Sequence, residues 1–228
     1  MEAVAQAQSV ADLFLKLEAT GQLLRLDPNI QPSMLHGAVV SRAELDELRQ
    51  IKNIVRLGRI QRIEKDCIVL AQGAVPSDPG RLYVDCSASA AERRPIVPIF
   101  KGNKITPQMV RSLQPTFSGA FIAHIEAVYQ GKLSEAEMNE LCSVIPMPDQ
   151  PFHWLTMMAV GMTNQRRWSK NPELRNWIAQ SRLDAFSAMS SRVTPDETEK
   201  LALLQRFGKS AGAAAEKLPQ LLAEIPAE

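Results

Sequence analysis

Cysteines, paired glycines and long apolar runs are scarce in this sequence of 228 residues, and each scarcity excludes a class of protein. The three cysteines, Cys67, Cys86 and Cys142, are odd in number and widely spaced, which excludes a disulfide framework and a CxxC metal site. The eleven glycines are all isolated, so neither a GxGxxG dinucleotide loop nor a GxxxxGK[ST] phosphate loop occurs. No run reaches the roughly 20 apolar residues that a membrane-spanning helix needs.

The net charge of the chain is too small to attract charged partners by long-range electrostatics. Lys and Arg number 26 against 25 Asp and Glu, a net charge of +1, so the chain has no overall field to attract nucleic acid or an anionic membrane. Apolar residues make up 45% and charged residues 22%, an ordinary globular composition. A secretory signal has a basic segment followed by an apolar one, and the N-terminus of this sequence has neither. We therefore expect a cytoplasmic protein with no nucleic-acid and no membrane partner.

The first half of the chain predicts helices followed by strands. Ser9 and Gly21 mark the two ends of one helix, and Ser41 with Glu44 forms a capping box at the start of another. A three-stranded β-meander follows, with predicted strands at 54–57, 59–64 and 67–70. The run from Leu82 to Cys86 is short and apolar, which is typical of a buried strand in a parallel sheet.

The second half predicts helices almost throughout. A helix begins after Pro115, and capping boxes occur at Ser134–Glu137 and Thr194–Glu197. Two helices rich in Trp and Met are predicted at 152–168 and 173–189. The fold class is therefore α/β followed by a mainly helical C-terminal region, with predicted domains 1–114 and 115–228.

Residues that could carry chemistry are scattered. The three histidines, His36, His124 and His153, have no second ligand at helical spacing, so no metal site is predicted. Cys86 would need a cation or a helix N-terminus nearby to become a reactive thiol, and an inert buried cysteine is the alternative.

Arginine pairs and the Trp- and Met-rich stretch leave two interpretations open. Arg93-Arg94 and Arg166-Arg167 could bind phosphates or could be ion-paired surface groups. Trp154, Trp168 and Trp177 could line a ligand cavity or could be part of the hydrophobic core.

Residues 57–73 and 82–88 together resemble a unit of the FAD-dependent oxidoreductases of the glutathione-reductase-like superfamily. Their sequences are LGRIQRIEKDCIVLAQG and LYVDCSA, and they resemble the β-meander and the strand that follows it. In that superfamily the strand ends near FAD in a hydrophobic-Ala-Thr-Gly signature, whose place Asp85, Cys86, Ser87 and Ala88 occupy here. The resemblance implies that these four residues bind the cofactor. Ala88 stands for the glycine, which restricts how closely the backbone can approach a ligand.

The continuation, residues 92–100 and 115–126, resembles a group of bacterial FAD/NAD(P)-binding proteins. The resemblance implies a partial FAD/NAD(P)-binding Rossmann-like domain and hydride transfer from NAD(P)H through FAD to an unknown substrate or to oxygen. It identifies no catalytic residue. It also implies that Tyr83 lies inside a sheet beside the flavin.

Members of that superfamily carry their Gly-rich FAD loop in an N-terminal segment. We therefore expect this chain to correspond to the C-terminal part of such an oxidoreductase, not competent alone, whose partner is a missing N-terminal segment or subunit, or a second copy. The alternative is a non-enzymatic helical interaction or accessory module, suggested by a Trp- and Met-rich face that a partner would cover. A third hypothesis is a thiol enzyme that uses Cys86.

Overall fold

A computed structural model describes residues 1–37, 39–88, 94–184 and 193–225. The chain forms two compact units. Unit 1 comprises Met1–Val40 and Pro95–Glu228, and unit 2 comprises Ser41–Arg94. The division therefore differs from the predicted domains 1–114 and 115–228, because the N-terminal helices belong to the same unit as the C-terminal ones.

The elements of unit 1 are mostly helices. In chain order they are α1 (Glu2–Gln6), α2 (Val10–Ala19), the two-stranded hairpin β4 (Phe100–Lys101) and β5 (Lys104–Ile105), α4 (Pro115–Tyr129), α5 (Glu135–Leu141), α6 (His153–Lys170), α7 (Pro172–Gln180) and α8 (Thr198–Leu222). Unit 2 contains α3 (Arg42–Leu48) and the strands β1 (Ile60–Ile63), β2 (Cys67–Leu70) and β3 (Gly73–Pro76).

Unit 1 has two hydrophobic clusters. The first joins α4, α5, α7 and the end of α6, and it is built around the aromatic rings of Phe117, Phe121 and Trp168. The second joins α1, α2, α8 and the start of α6, where Leu155 is fully buried. Because α6 contributes to both clusters, this one helix connects the N-terminal helices to the rest of the unit.

The predicted helix caps at Ser9, Ser41 and Ser134 are confirmed. Ser9 Oγ accepts the backbone N–H of Asp12 at 3.2 Å, and complete capping boxes are present at Ser41 and Ser134. Gly21, at φ +76°, ends the turn after α2 in the left-handed region. The Thr194 prediction was wrong in part, because Glu197 does bond back to Thr194 but the helix begins only at Thr198.

The meander of unit 2 is antiparallel, in the order β1-β2-β3. The hairpin predicted across Lys65 and Asp66 is confirmed, and Glu64 N–H donates to the Cys67 carbonyl at 2.8 Å to close it. The predicted strand at 54–57 is wrong, and the third strand is instead Gly73–Pro76. The chain is thus a mixed helix-and-sheet protein with a three-stranded antiparallel sheet and a helical C-terminal region.

Of the two predicted Trp- and Met-rich helices, the first has nearly the predicted length and the second is shorter than predicted. Helix α6 has nearly its predicted extent, whereas α7 ends at Gln180, and residues 185–189 of the predicted helix lie outside the described residues. Among the helices described, none is both long and apolar enough to cross a membrane.

Candidate functional site

The four predicted cofactor-binding residues form a short exposed turn at the end of unit 2. Ser87 donates both its backbone N–H and its hydroxyl to the Asp85 carboxylate, at 2.8 and 2.6 Å. These bonds lower the pKa of Asp85, so the group is a carboxylate at neutral pH. Cys86 and Ala88 are exposed beside it. The turn therefore presents a negative charge, a thiol and open backbone to solvent.

The run that leads into this turn is not the buried strand that the sequence predicted. Leu82 is 88% exposed and Val84 72%, and neither is part of a β-ladder. Tyr83 is held by a hydrogen bond between its hydroxyl and Ser77 Oγ. The prediction failed because a strand needs a neighbour to share its backbone hydrogen bonds, and no described segment pairs with this one.

The other thiols do not form a reactive site. Cys67 donates its S–H to the Glu64 carboxylate at 3.3 Å, which raises the pKa of the thiol. Burial raises the pKa of Cys142 to about 12. Glu64, Asp66 and Cys67 bring ligand atoms within 4.8 Å of one another in the hairpin turn, but Glu64 is already paired with Arg62. Exposed acidic groups in a turn commonly cluster in this way without binding a metal ion.

One member of the two arginine pairs, Arg167, has a structural role. Arg167 donates to the Glu140 carbonyl and, at 3.0 Å, to the Ser143 hydroxyl, so it fastens α6 to the end of α5. Arg93 lies outside the described residues.

The most unusual charged group is Arg111, which the sequence did not single out. Its guanidinium pairs with the Asp184 carboxylate at 3.2 Å, and both side chains are nearly buried, at 12% and 7% exposed. The guanidinium carbon lies 3.8 Å from the ring centroid of Phe117, a cation–π contact. Burial lowers the pKa of Arg111, and the negative charge of Asp184 opposes that shift. No sequence signal joins two such distant positions.

Polar side chains fix the loop that carries Arg111. Ser118 Oγ accepts the backbone N–H of Val110 and of Arg111, at 3.1 and 3.3 Å. Asn164, fully buried in the middle of α6, donates to the carbonyls of Val110 and Ser143 at 2.9 and 2.7 Å. These bonds satisfy backbone groups that no helix or strand pairs, so the role of this network is to hold the loop in place.

The Trp- and Met-rich helices form core rather than a ligand cavity. Trp168 is 2% exposed and packs against Phe121 with ring centroids 4.4 Å apart and the ring planes tilted by 41°. Trp177 lies against the same cluster and stacks on His124 at 4.5 Å. Burial lowers the pKa of His124, whose Nε2 is buried without a hydrogen-bond partner. Trp168 and Met157 of the Trp- and Met-rich stretch are therefore core residues, whereas Trp154, Met158 and Met162 are half-buried.

Unit 1 also has an open cleft of about 250 Å³ beside the β4–β5 hairpin. Its rim includes Lys104, Glu126 and Glu135, and its floor includes Phe100 and Met138. Glu135 already accepts the backbone N–H of Gly102 at 2.8 Å, so its carboxylate braces the hairpin. None of the predicted site residues lines this cleft.

Comparison with known proteins gives relatives without an assigned activity. No protein-family model and no solved structure matches the chain. It is similar to proteins described as uncharacterized in Mycobacterium tuberculosis (strains H37Rv and CDC 1551) and Mycobacterium bovis, with 41% identity over 222 residues in each case. The match covers 97% of this chain but 41% of each relative. The chain thus spans about two fifths of the length of the curated relatives that it matches.

Proposed function

We propose that this chain is the C-terminal part of an FAD-dependent oxidoreductase that transfers a hydride from NAD(P)H through FAD to a substrate or to oxygen. Unit 2 would then belong to a Rossmann-like FAD domain. Asp85, Cys86, Ser87 and Ala88 would lie at the end of a strand beside the cofactor. Unit 1 would be the helical region attached to that domain.

The observation that carries the proposal is the order of two features in unit 2. A three-stranded antiparallel meander ends at Pro76, and an exposed apolar run from Leu82 to Val84 follows it. The side chains of this run are exposed, and its backbone has no partner in a β-ladder within the part of the chain that the structure describes. A strand would have these two properties if further polypeptide supplied the other strands of its sheet. The greater length of the mycobacterial relatives supports the same interpretation.

The residues of this chain do not make a complete FAD site. A pyrophosphate is held by closely spaced glycines at a helix N-terminus, and the sequence contains no GxG. The turn at 85–88 also presents a carboxylate, which would repel a phosphate. It could border the neutral parts of the cofactor and little else. We therefore expect the 228-residue chain to bind FAD weakly or not at all.

The test uses the longer protein from Mycobacterium tuberculosis H37Rv, purified at full length in the presence of FAD and then desalted. We expect it to retain a stoichiometric flavin, visible in its absorbance spectrum and released on denaturation. Anaerobic addition of NADH or NADPH should bleach that absorbance. The matched control is the stretch of the same protein that aligns with this chain, which should lose its flavin on desalting.

Two results would contradict the proposal. A full-length relative that is colourless and does not bind added FAD would exclude the flavoprotein class. Stoichiometric flavin retained by the 228-residue chain itself would show that its own residues form the site, contrary to the expected need for a separate pyrophosphate loop.

A further inference from the structure

One face of the meander is aliphatic from edge to edge. In the ladder, Ile60 lies opposite Leu70, and Ile63 lies opposite Ile68, which in turn lies opposite Val75. Opposed residues share a face of a sheet, and so do residues two apart in one strand. These five residues, Ile60, Ile63, Ile68, Leu70 and Val75, are called the aliphatic face.

A β-bulge is what makes this face continuous. Two residues three apart in a regular strand point to opposite faces, so Ile60 and Ile63 would be separated in an unbroken β1. The register shifts between Ile60 and Arg62, which inserts one extra residue and brings both isoleucines to the same side. The bulge thus adds apolar surface to one side of the sheet and leaves the charged Arg62 on the other.

The aliphatic face is only partly covered. Leu70 is 7% exposed, whereas Ile60 is 57% and Ile63 is 48% exposed. A sheet that collects its aliphatic residues on one side and leaves two of them exposed to solvent has the character of a contact surface. Leu82 and Val84 of the same unit are exposed as well.

We propose that the aliphatic face is an internal interface, covered by polypeptide that the longer relatives carry outside the stretch matching this chain. The occupant is an apolar surface of that additional polypeptide. The relatives match 97% of this chain, unit 2 included, and nearly three fifths of their length lies outside the match. The inference rests on the proposed function only in that both require further polypeptide beside unit 2, and it requires no flavin.

Hydrogen exchange on the natural full-length relative and on its matched stretch tests the interface. We expect amides of the segment aligned with β1 and β2 to exchange at least about tenfold more slowly in the full-length protein. Amides aligned with α4, which lies in the core of unit 1, should exchange equally in both proteins and serve as the control. Equal exchange of the β1 and β2 segment in both would overturn the proposal.

Thiol labelling of this chain tests the other occupants. In a Cys67→Ser/Cys86→Ser background, Ile60→Cys and the control Ile96→Cys start from the same exposure, 57%. We expect both to label rapidly and at rates independent of protein concentration. Labelling of Ile60→Cys that slows as concentration rises would identify a second copy as the occupant. Slow labelling at every concentration would show that the chain covers the face itself. Either result would overturn the proposal.

The two proposals can fail separately. A full-length relative without flavin but with a protected β1 and β2 segment would contradict the oxidoreductase and support the interface. A flavin-containing relative in which this segment exchanges as freely as in the matched stretch would do the reverse.

Discussion

The two units of this protein differ in whether their large apolar side chains are buried or exposed. Unit 1 buries Phe117, Phe121 and Trp168 in one cluster and Leu155 in another. In the described part of unit 2, Leu45 and Leu70 are the buried apolar side chains, while nine large ones are exposed. The exposed nine are Leu48, Ile51, Ile54, Val55, Ile60, Ile63, Leu82, Tyr83 and Val84. A three-stranded ribbon with one helix has too few layers to enclose a core, so its apolar residues form surface.

The largest difference between the units should come from truncating a side chain in each. Phe121→Ala removes a fully buried ring from the first cluster of unit 1 and should lower the free energy of unfolding by about 3–5 kcal/mol. Ile60→Ala in unit 2 should change it by less than about 0.5 kcal/mol, as expected for an exposed site.

Urea unfolding followed by tryptophan fluorescence measures the effect of each variant on the unfolding of unit 1. Trp154, Trp168 and Trp177 all belong to unit 1, so the signal reports that unit alone. Equal losses for the two variants would show that Ile60 contributes to the stability of unit 1, contrary to the separate roles of the two units.

An ion pair in each unit gives the next comparison. Asp184→Ala leaves the Arg111 guanidinium nearly buried without its counter-ion, which should cost about 3–5 kcal/mol in the same assay. Glu64→Gln removes the exposed partner of Arg62 in unit 2 and should have no measurable effect. A small loss for Asp184→Ala would show that solvent reaches Arg111.

Matched capping boxes sharpen the comparison at a smaller scale. Ser134→Ala removes the cap of α5 and should cost about 1 kcal/mol in the tryptophan-detected transition. Ser41→Ala removes the same motif from α3 in unit 2 and should leave that transition unchanged. If both serines mattered equally to the tryptophan signal, the two units would unfold as one.

The smallest expected effect is a pH dependence confined to unit 1. Burial holds the pKa of His124 below its ordinary value near 6.5, and attraction to Glu173 offsets this shift only in part. The unfolded chain therefore binds the proton first as pH falls through 6.5, so stability should decrease between pH 7 and pH 5. His124→Gln should reduce this decrease. An identical pH dependence in wild type and His124→Gln would contradict this assignment.

The sequence predicts those parts of the fold whose signals are local. The boxes at Ser41 and Ser134 and the hairpin across Lys65 depend on residues a few positions apart, and all three are present. The third strand was misplaced because Ile54–Leu57 is rich in strand formers, whereas Gly73–Pro76 begins with glycine and ends with proline. Pairing with β2 outweighs those propensities.

Features that depend on residues far apart in the sequence were not predicted. Leu82–Cys86 has the composition of a buried strand, but burial requires neighbours that composition cannot supply. The pairing of Arg111 with Asp184 depends on the way the helices pack, and the aliphatic face depends on a bulge within β1. The cofactor role of Asp85, Cys86, Ser87 and Ala88 stays a prediction, as do the FAD and NAD(P)H requirement and a cytoplasmic location.

Native-state hydrogen exchange on the 228-residue chain tests most directly the claim that unit 1 has a core of its own and that unit 2 does not. We predict that amides of α4 and α6 exchange only through global unfolding, and that the ladder amides of β1, β2 and β3 exchange orders of magnitude faster, through local opening. Protection of the meander equal to that of α4 would contradict the account, because it would show that unit 2 is stable without further polypeptide to cover it.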